Sequence, residues 1–142
     1  MLAASVTTIA AALFTGAAIY VNVAEQPARL ALGDAAMLTQ WQESYRRAAV
    51  MQGGLALFAT AMGLAAAYRH GDWRWLVAAL LMFANWPYTL LWVKPTNDAL
   101  NRPGGATAGP EARRLIVRWG WLHAGRSALG VAALGFCLWA AS

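Results

Sequence analysis

The chain has 142 residues, 60% of them hydrophobic and 12% charged, and carries a net charge of +5. Roughly a quarter of the residues in a soluble domain are charged, so this composition, with a mean hydropathy of +0.45, excludes an ordinary water-soluble fold. Its cations lie in the gaps between apolar stretches, which argues against nucleic acid and for membrane lipid with anionic headgroups as the partner.

The charge-free stretches are Met1–Ala24, Ala48–Tyr68, Trp75–Val93 and Ser127–Ser142. A hydrocarbon core of roughly 30 Å takes about 20 helical residues. The first three meet that length. The fourth does so only by extending back past Arg126, which places His123 and Arg126 at membrane depth. Backbone groups in lipid must be satisfied within each segment, and the stretches lack the alternation of barrel strands. The expectation is therefore an all-α integral membrane four-helix bundle. It forms one domain over residues 1–142, with spans at about 2–24, 48–68, 74–94 and 119–141.

The first stretch lacks a basic leader, so it reads as a mature helix and not as a signal peptide. Pro27 is expected to end or bend it. Asp34 is placed as an N-cap for a helical piece carrying Met37, Leu38, Trp41 and Tyr45 at helical spacing. That piece is expected to lie in the interface before turning into span 2. Arg69-His70-Gly71-Asp72 is a tight connection, and Pro87 should kink span 3. The Gly/Pro-rich stretch from Asn101 to Pro110 reads as the most flexible part of the chain. A last helix begins near Glu111 with an extension ahead of span 4. The tryptophans mostly suit interfacial belts, with Trp73, Trp75 and Trp139 at one end.

Four spans put both termini on one side, with Arg69 and Arg74. The other side holds Arg29, Arg46, Arg47, Lys94, Arg102, Arg113, Arg114 and Arg118. The positive-inside rule then places both termini outside and the first and third loops in the cytoplasm, in a bacterial inner membrane. A homo-oligomer is compatible with the sequence.

The residues most costly in lipid converge on that basic end: Tyr20, Asn22, Glu25 and Arg29, then Tyr45 and Gln52. Asn85, Trp86, Tyr88 and Asn97 come next, and finally Trp119, His123 and Arg126. Asn85, Tyr88 and Thr89 share a helix face, as do Trp119, His123 and Arg126. Polar groups at such depth face the bundle interior or a wet cavity. A pocket open toward the basic side is the expected consequence, with Trp86 and Trp119 in its lining. Blander readings stand beside this one. Glu25 and Arg126 are placed to form an ion pair between helices 1 and 4. Asn85 is able to serve the carbonyl freed by Pro87, and His123 to be a satisfied interior histidine. Two histidines, no HExxH or CxxC pattern, no phosphate-binding glycine loop and no GxSxG elbow leave no metal site and no cofactor in the reading.

Glu25-Gln26-Pro27-Ala28-Arg29, Trp41 with Tyr45-Arg46-Arg47 and Gln52, Asn85-Trp86-Pro87-Tyr88-Thr89 with Pro95-Thr96-Asn97, and Trp119, Leu122-His123 and Arg126 together resemble the anthrone oxygenase-like family of small four-span membrane proteins. The resemblance implies oxidation of a small aromatic molecule by O2 without a cofactor. On that implication His123 acts as general base and Arg126, with Glu25 in the catalytic group, stabilises an oxyanion. Tyr20, Asn22, Arg29, Tyr45, Gln52, Asn85, Trp86, Tyr88, Asn97 and Trp119 would then bind substrate. Two rivals stay open. One is a non-catalytic binding or accessory protein whose polar cluster is an interhelical network. The other, a transporter, has neither a midplane site nor repeat symmetry behind it.

Overall fold

A computed structural model describes residues 1–102 and 107–142. Among these it is all-helical, with four helices long and apolar enough to cross a membrane: α1 Leu2–Leu30, α2 Asp34–His70, α3 Trp73–Leu100 and α4 Pro110–Ala141. Each packs on its neighbours in sequence, and α1 closes the ring against α4. The stretch expected to be flexible falls in part on residues 103–106, outside the described residues.

Packing changes character along the bundle. At the end holding the termini, small residues let the helices approach closely. Ala10, Ala11 and Ala18 of α1 meet Ala56, Ala59 and Ala66 of α2, with Ala78 and Met82 of α3 and Ala133 and Cys137 of α4. Where apolar burial from water is no driving force, such contact holds helices together. Gly63 shows how close it is: a Cβ there would stand 2.9 Å from the Ala79 Cβ. At the basic end the filling is bulkier, with Met37, Leu38, Trp41, Val93, Leu100, Ile116 and Trp119.

Several local expectations are corrected. Pro27 does not end α1. One π-helical turn, Val21–Glu25, precedes it, and helix resumes over Gln26–Leu30. The same device recurs on α3, where a π turn at Thr89–Val93 precedes Pro95 in the segment Lys94–Leu100. Proline lacks an N–H and its ring crowds the carbonyl four residues back. One extra residue in the preceding turn absorbs both defects and rotates the next helical segment about its axis. That rotation buries Gln26 and Arg29 on α1, and Thr96 and Asn97 on α3.

The piece after Asp34 does not lie in the interface and turn. It is the start of one 37-residue helix, about 55 Å long at 1.5 Å per residue, and Met37 and Trp41 on it are fully buried. Asp34 makes no cap bond. It accepts from Arg113 Nε at 2.7 Å, and the same guanidinium donates to the carbonyls of Leu30 and Leu32, fastening α4 to the α1–α2 turn. Trp75 belongs to the core, whereas Trp73 and Trp139 are exposed and pack edge-on at 5.6 Å.

The α2–α3 connection is as tight as expected. Gly71 at φ 64° adopts the left-handed turn that closes α2, and Asp72 accepts from the Arg74 N–H at 2.9 Å to cap α3. The Arg74 guanidinium beside Asp72 holds its half-buried carboxyl below the usual carboxylate range.

Candidate functional site

The expected cluster separates into a closed half and an open half. Arg29 anchors the closed half, buried to 2% exposure. Its guanidinium meets Glu25 at 2.9 Å, Gln40 at 2.7 Å, Gln26 at 3.1 Å and Ser44 at 3.0 Å, and lies 5.3 Å over the Trp119 ring. Gln40 donates back to Glu25 at 3.0 Å, and Gln26 donates to the Ile116 carbonyl at 2.8 Å. This brace joins α1, α2 and α4. Glu25 therefore pairs with Arg29 and not with Arg126, because the π turn carries both onto the α2-facing side of α1. Gln26, Gln40 and Ser44 are the members that sequence reasoning missed. The only signal for the last two was their i, i+4 spacing, on a segment read as interfacial.

The open half holds polar atoms that no described residue satisfies: both side-chain polar atoms of Gln52, Oδ1 of Asn85, Nε of Arg126 and Nε1 of Trp41. Gln52 is 1% exposed. A buried polar atom without a partner costs about 1–3 kcal/mol, so four such residues in one neighbourhood are a strong departure from ordinary packing. Two cavities meet here, sharing Tyr45, Ala49, Trp119 and Arg126 in their walls. The larger, about 180 Å³, adds Asn85, Trp86, Thr89 and Asn97. The smaller, about 20 Å³, adds Glu25, Arg29, Gln52 and His123. A wider cleft of about 700 Å³ lies at the opposite end around His70 and Asp72, but none of the unsatisfied atoms line it.

His123 is buried between these halves. Its Nδ1 lies 3.0 Å from Asn22 Oδ1, and its ring sits 4.8 Å from that of Trp119. Asn22 donates its amide to the Gly120 carbonyl at 2.8 Å, so its oxygen faces His123 and also accepts from Ser127 at 2.8 Å. An oxygen that only accepts requires a proton on Nδ1. In the neutral ring Nε2 is then left with its lone pair. Trp119 is held from its other edge by Asn97, whose Oδ1 accepts the indole N–H at 2.9 Å. Tyr45 stacks on Trp41 at 4.9 Å, completing an aromatic wall.

Two of the expected residues stand apart. Tyr20 is 63% exposed and faces away from the bundle. Tyr88 donates its hydroxyl to the Leu122 carbonyl at 2.9 Å and lines neither cavity, serving to join α3 to α4. Nor does the larger cavity run out at the basic end. Met37, Leu38, Leu100 and Ile116 fill the turns beyond it.

Residues 41–136 match the family model described as anthrone oxygenase. The chain belongs to the anthrone oxygenase family. It is 29% identical over 107 residues to an anthrone oxygenase of Cryptosporiopsis sp., covering 70% of this chain and 63% of that one. To one of Claviceps purpurea it is 35% identical over 116 residues, covering 72% and 67%. An Aspergillus fumigatus relative of the same name is 46% identical over 56 residues, covering 37% and 34%. The chain thus spans less than two thirds of the length of two of these anthrone oxygenases. No solved structure matches it. The family match takes in Trp41, Gln52, Asn85, Asn97, His123 and Arg126, while the α1 residues Asn22, Glu25 and Arg29 precede it.

Proposed function

We propose that the protein is a membrane-embedded, cofactor-independent oxygenase of small aromatic molecules, working in the cavity bounded by Tyr45, Asn85, Trp119 and Arg126. The observation that carries this reading is the meeting of unsatisfied Gln52, Asn85 and Arg126 atoms with a histidine whose Nδ1 proton is committed to Asn22. A base with its lone pair, next to a cation with an unused donor, suits removal of one proton from a ring CH2 conjugated with a carbonyl, as in an anthrone. His123 Nε2 takes that proton and Arg126 holds the resulting ring oxyanion. The carbanion gives electrons to O2 and a C–O bond forms, so that a ring hydroperoxide results once the proton returns. Loss of water across the C–H and O–O bonds then leaves a carbonyl. One oxygen atom of O2 ends in the quinone and the other in water.

Drug-sized ligand cavities run to about 300–1,000 Å³. The 180 Å³ space suits one or two rings as it stands. A three-ring anthrone needs Arg126 or Tyr45, which stand between the two cavities, to swing aside. The eight-to-two distribution of cations supports an orientation with the basic end cytoplasmic and both termini outside.

The test is O2 uptake by purified protein given an anthrone or a quinol, compared with His123→Ala. Loss of uptake in a variant that melts like the parent supports the assignment. Undiminished uptake removes His123 from the mechanism, and no uptake with any such substrate rejects the enzyme. The alternative, a binding or accessory protein, draws on the Arg29 brace, which is fully satisfied and structural in character. It predicts ligand binding without turnover.

A further inference from the structure

One wall of the larger cavity faces the lipid. On α3 its lining passes directly from buried Asn85 to Trp86, 38% exposed, and Leu90, 52% exposed. On α2 the facing positions are Ala49, Gly53 and Ala56, at i, i+4 and i+7, all too small to close the seam. Val50 and Leu57 on α2 and Phe83 and Leu91 on α3 are exposed apolar neighbours of this seam, so it lies at hydrocarbon depth. At the cavity the Trp86 indole N–H reaches across it to the Gly53 carbonyl at 3.3 Å, and nearer the basic end Gln42 donates to the Leu100 carbonyl at 2.9 Å. Asn85, with its buried, unsatisfied Oδ1, lines the same cavity as that indole. Toward the basic end, by contrast, Met37, Leu38, Leu100 and Ile116 stand between the cavity and water.

We infer that the α2–α3 seam is a lateral entrance from the bilayer, gated by Trp86. Its cargo is an apolar ring molecule bearing both a hydroxyl and a second, accepting oxygen. The hydroxyl would donate to Asn85 Oδ1, which can only accept, and the second oxygen would accept from Arg126 Nε, which can only donate. The long indole bond is cheap to open, and the Gly53 carbonyl it releases is already within a helix. For its occupant this inference rests on the proposed function; for its route it rests on the seam alone.

The experiment measures tryptophan quenching in phosphatidylcholine nanodiscs by three probes. These are a dihydroxyanthraquinone, the same ring on a hexadecyl chain that keeps it in the bilayer, and its water-confined sulfonate. Lateral entry predicts that the tailed probe binds within about threefold of the parent compound and the sulfonate at least about a hundredfold more weakly. Gly53→Phe should slow association of the parent compound at least about tenfold. A Cβ at position 53 meets the Trp86 ring at 3.6 Å, so the added side chain is set against the gate itself. Melting of the variant checks its fold, and the tailed-probe comparison needs no variant. If the parent compound binds and the tailed one does not, or the sulfonate binds equally well, the lateral route is overturned and the site reading survives. If the parent compound does not bind at all, both fall.

Discussion

Asn22 Oδ1 and His123 Nδ1 stand 3.0 Å apart, on α1 and α4, and the asparagine amide is oriented by its own bond to the Gly120 carbonyl. This contact, more than burial alone, turns an interior histidine into a candidate base, because it assigns the ring proton to the nitrogen that faces α1.

Asn22→Leu should therefore act on both stability and chemistry. It strands His123 Nδ1 and Ser127 Oγ, a loss of about 1–3 kcal/mol, visible in thermal unfolding in detergent. Nitrogen NMR of labelled histidine should show the Nδ1-protonated neutral ring in the parent protein and a mixture of tautomers in Asn22→Ala. A mixture in the parent would sink the assignment.

Arg29→Met should destabilise the bundle more than any other change in the cluster, by about 3 kcal/mol, since it leaves Glu25 without its cation inside a largely buried network. Arg29→Lys should recover only part of this, because an ammonium cannot span the separate acceptors on Gln26, Gln40 and Ser44. Equal melting of Arg29→Met and the parent would show that the brace contributes nothing to stability.

Gln52→Leu and Asn85→Leu are expected to behave in the opposite way. Gln52→Leu removes two buried polar atoms without partners among the described residues. Asn85→Leu removes one, Oδ1, together with the 3.3 Å bonds from Nδ2 to the Leu81 and Met82 carbonyls, which lie within a helix. Melting temperature should therefore hold or rise, by up to about 1–3 kcal/mol in stability. Aromatic-ligand binding and O2 uptake should fall together. Destabilisation with binding intact would make these residues part of the structural network.

Glycines along α2 provide a packing test. Gly63→Ala pushes a Cβ to 2.9 Å from the Ala79 Cβ, and to 3.3 Å from the Ala79 Cα and the Thr7 methyl, so α3 and α1 must retreat. Overpacking of this kind costs about 1–3 kcal/mol. Gly54→Ala meets nothing within 4 Å and should stabilise the helix by about 0.5–1 kcal/mol. Chemical unfolding of the two variants side by side checks the sign of each.

The grouping of polar residues in the candidate site was legible because polarity within apolar helices is so rare. His123, Arg126, Asn85 and Gln52 were each marked by an apolar setting, and each lines one of the two joined cavities. Tyr20 was marked by the same rule and misplaced. Depth along a helix can be counted from sequence, but the facing direction cannot once a π turn intervenes, and Val21–Glu25 begins one residue after it. Glu25 was misassigned to Arg126 for the same reason. Trp41 was read as interfacial because it precedes the apolar stretch, yet its helix continues unbroken and buries it.

Charge placement and helix length, read from the sequence by itself, determined that this chain forms four helices able to cross a membrane, and that their polar side chains gather toward one end. Both are local properties, set by what each segment can satisfy in lipid. Only the tertiary structure decided which of those polar groups spend their hydrogen bonds on one another, as Arg29 does, and which keep polar atoms unused, as Gln52, Asn85 at Oδ1 and Arg126 at Nε do. That division depends on the rotation imposed by two π turns and on which helix stands opposite, and neither is written in the spacing of residues along a single segment.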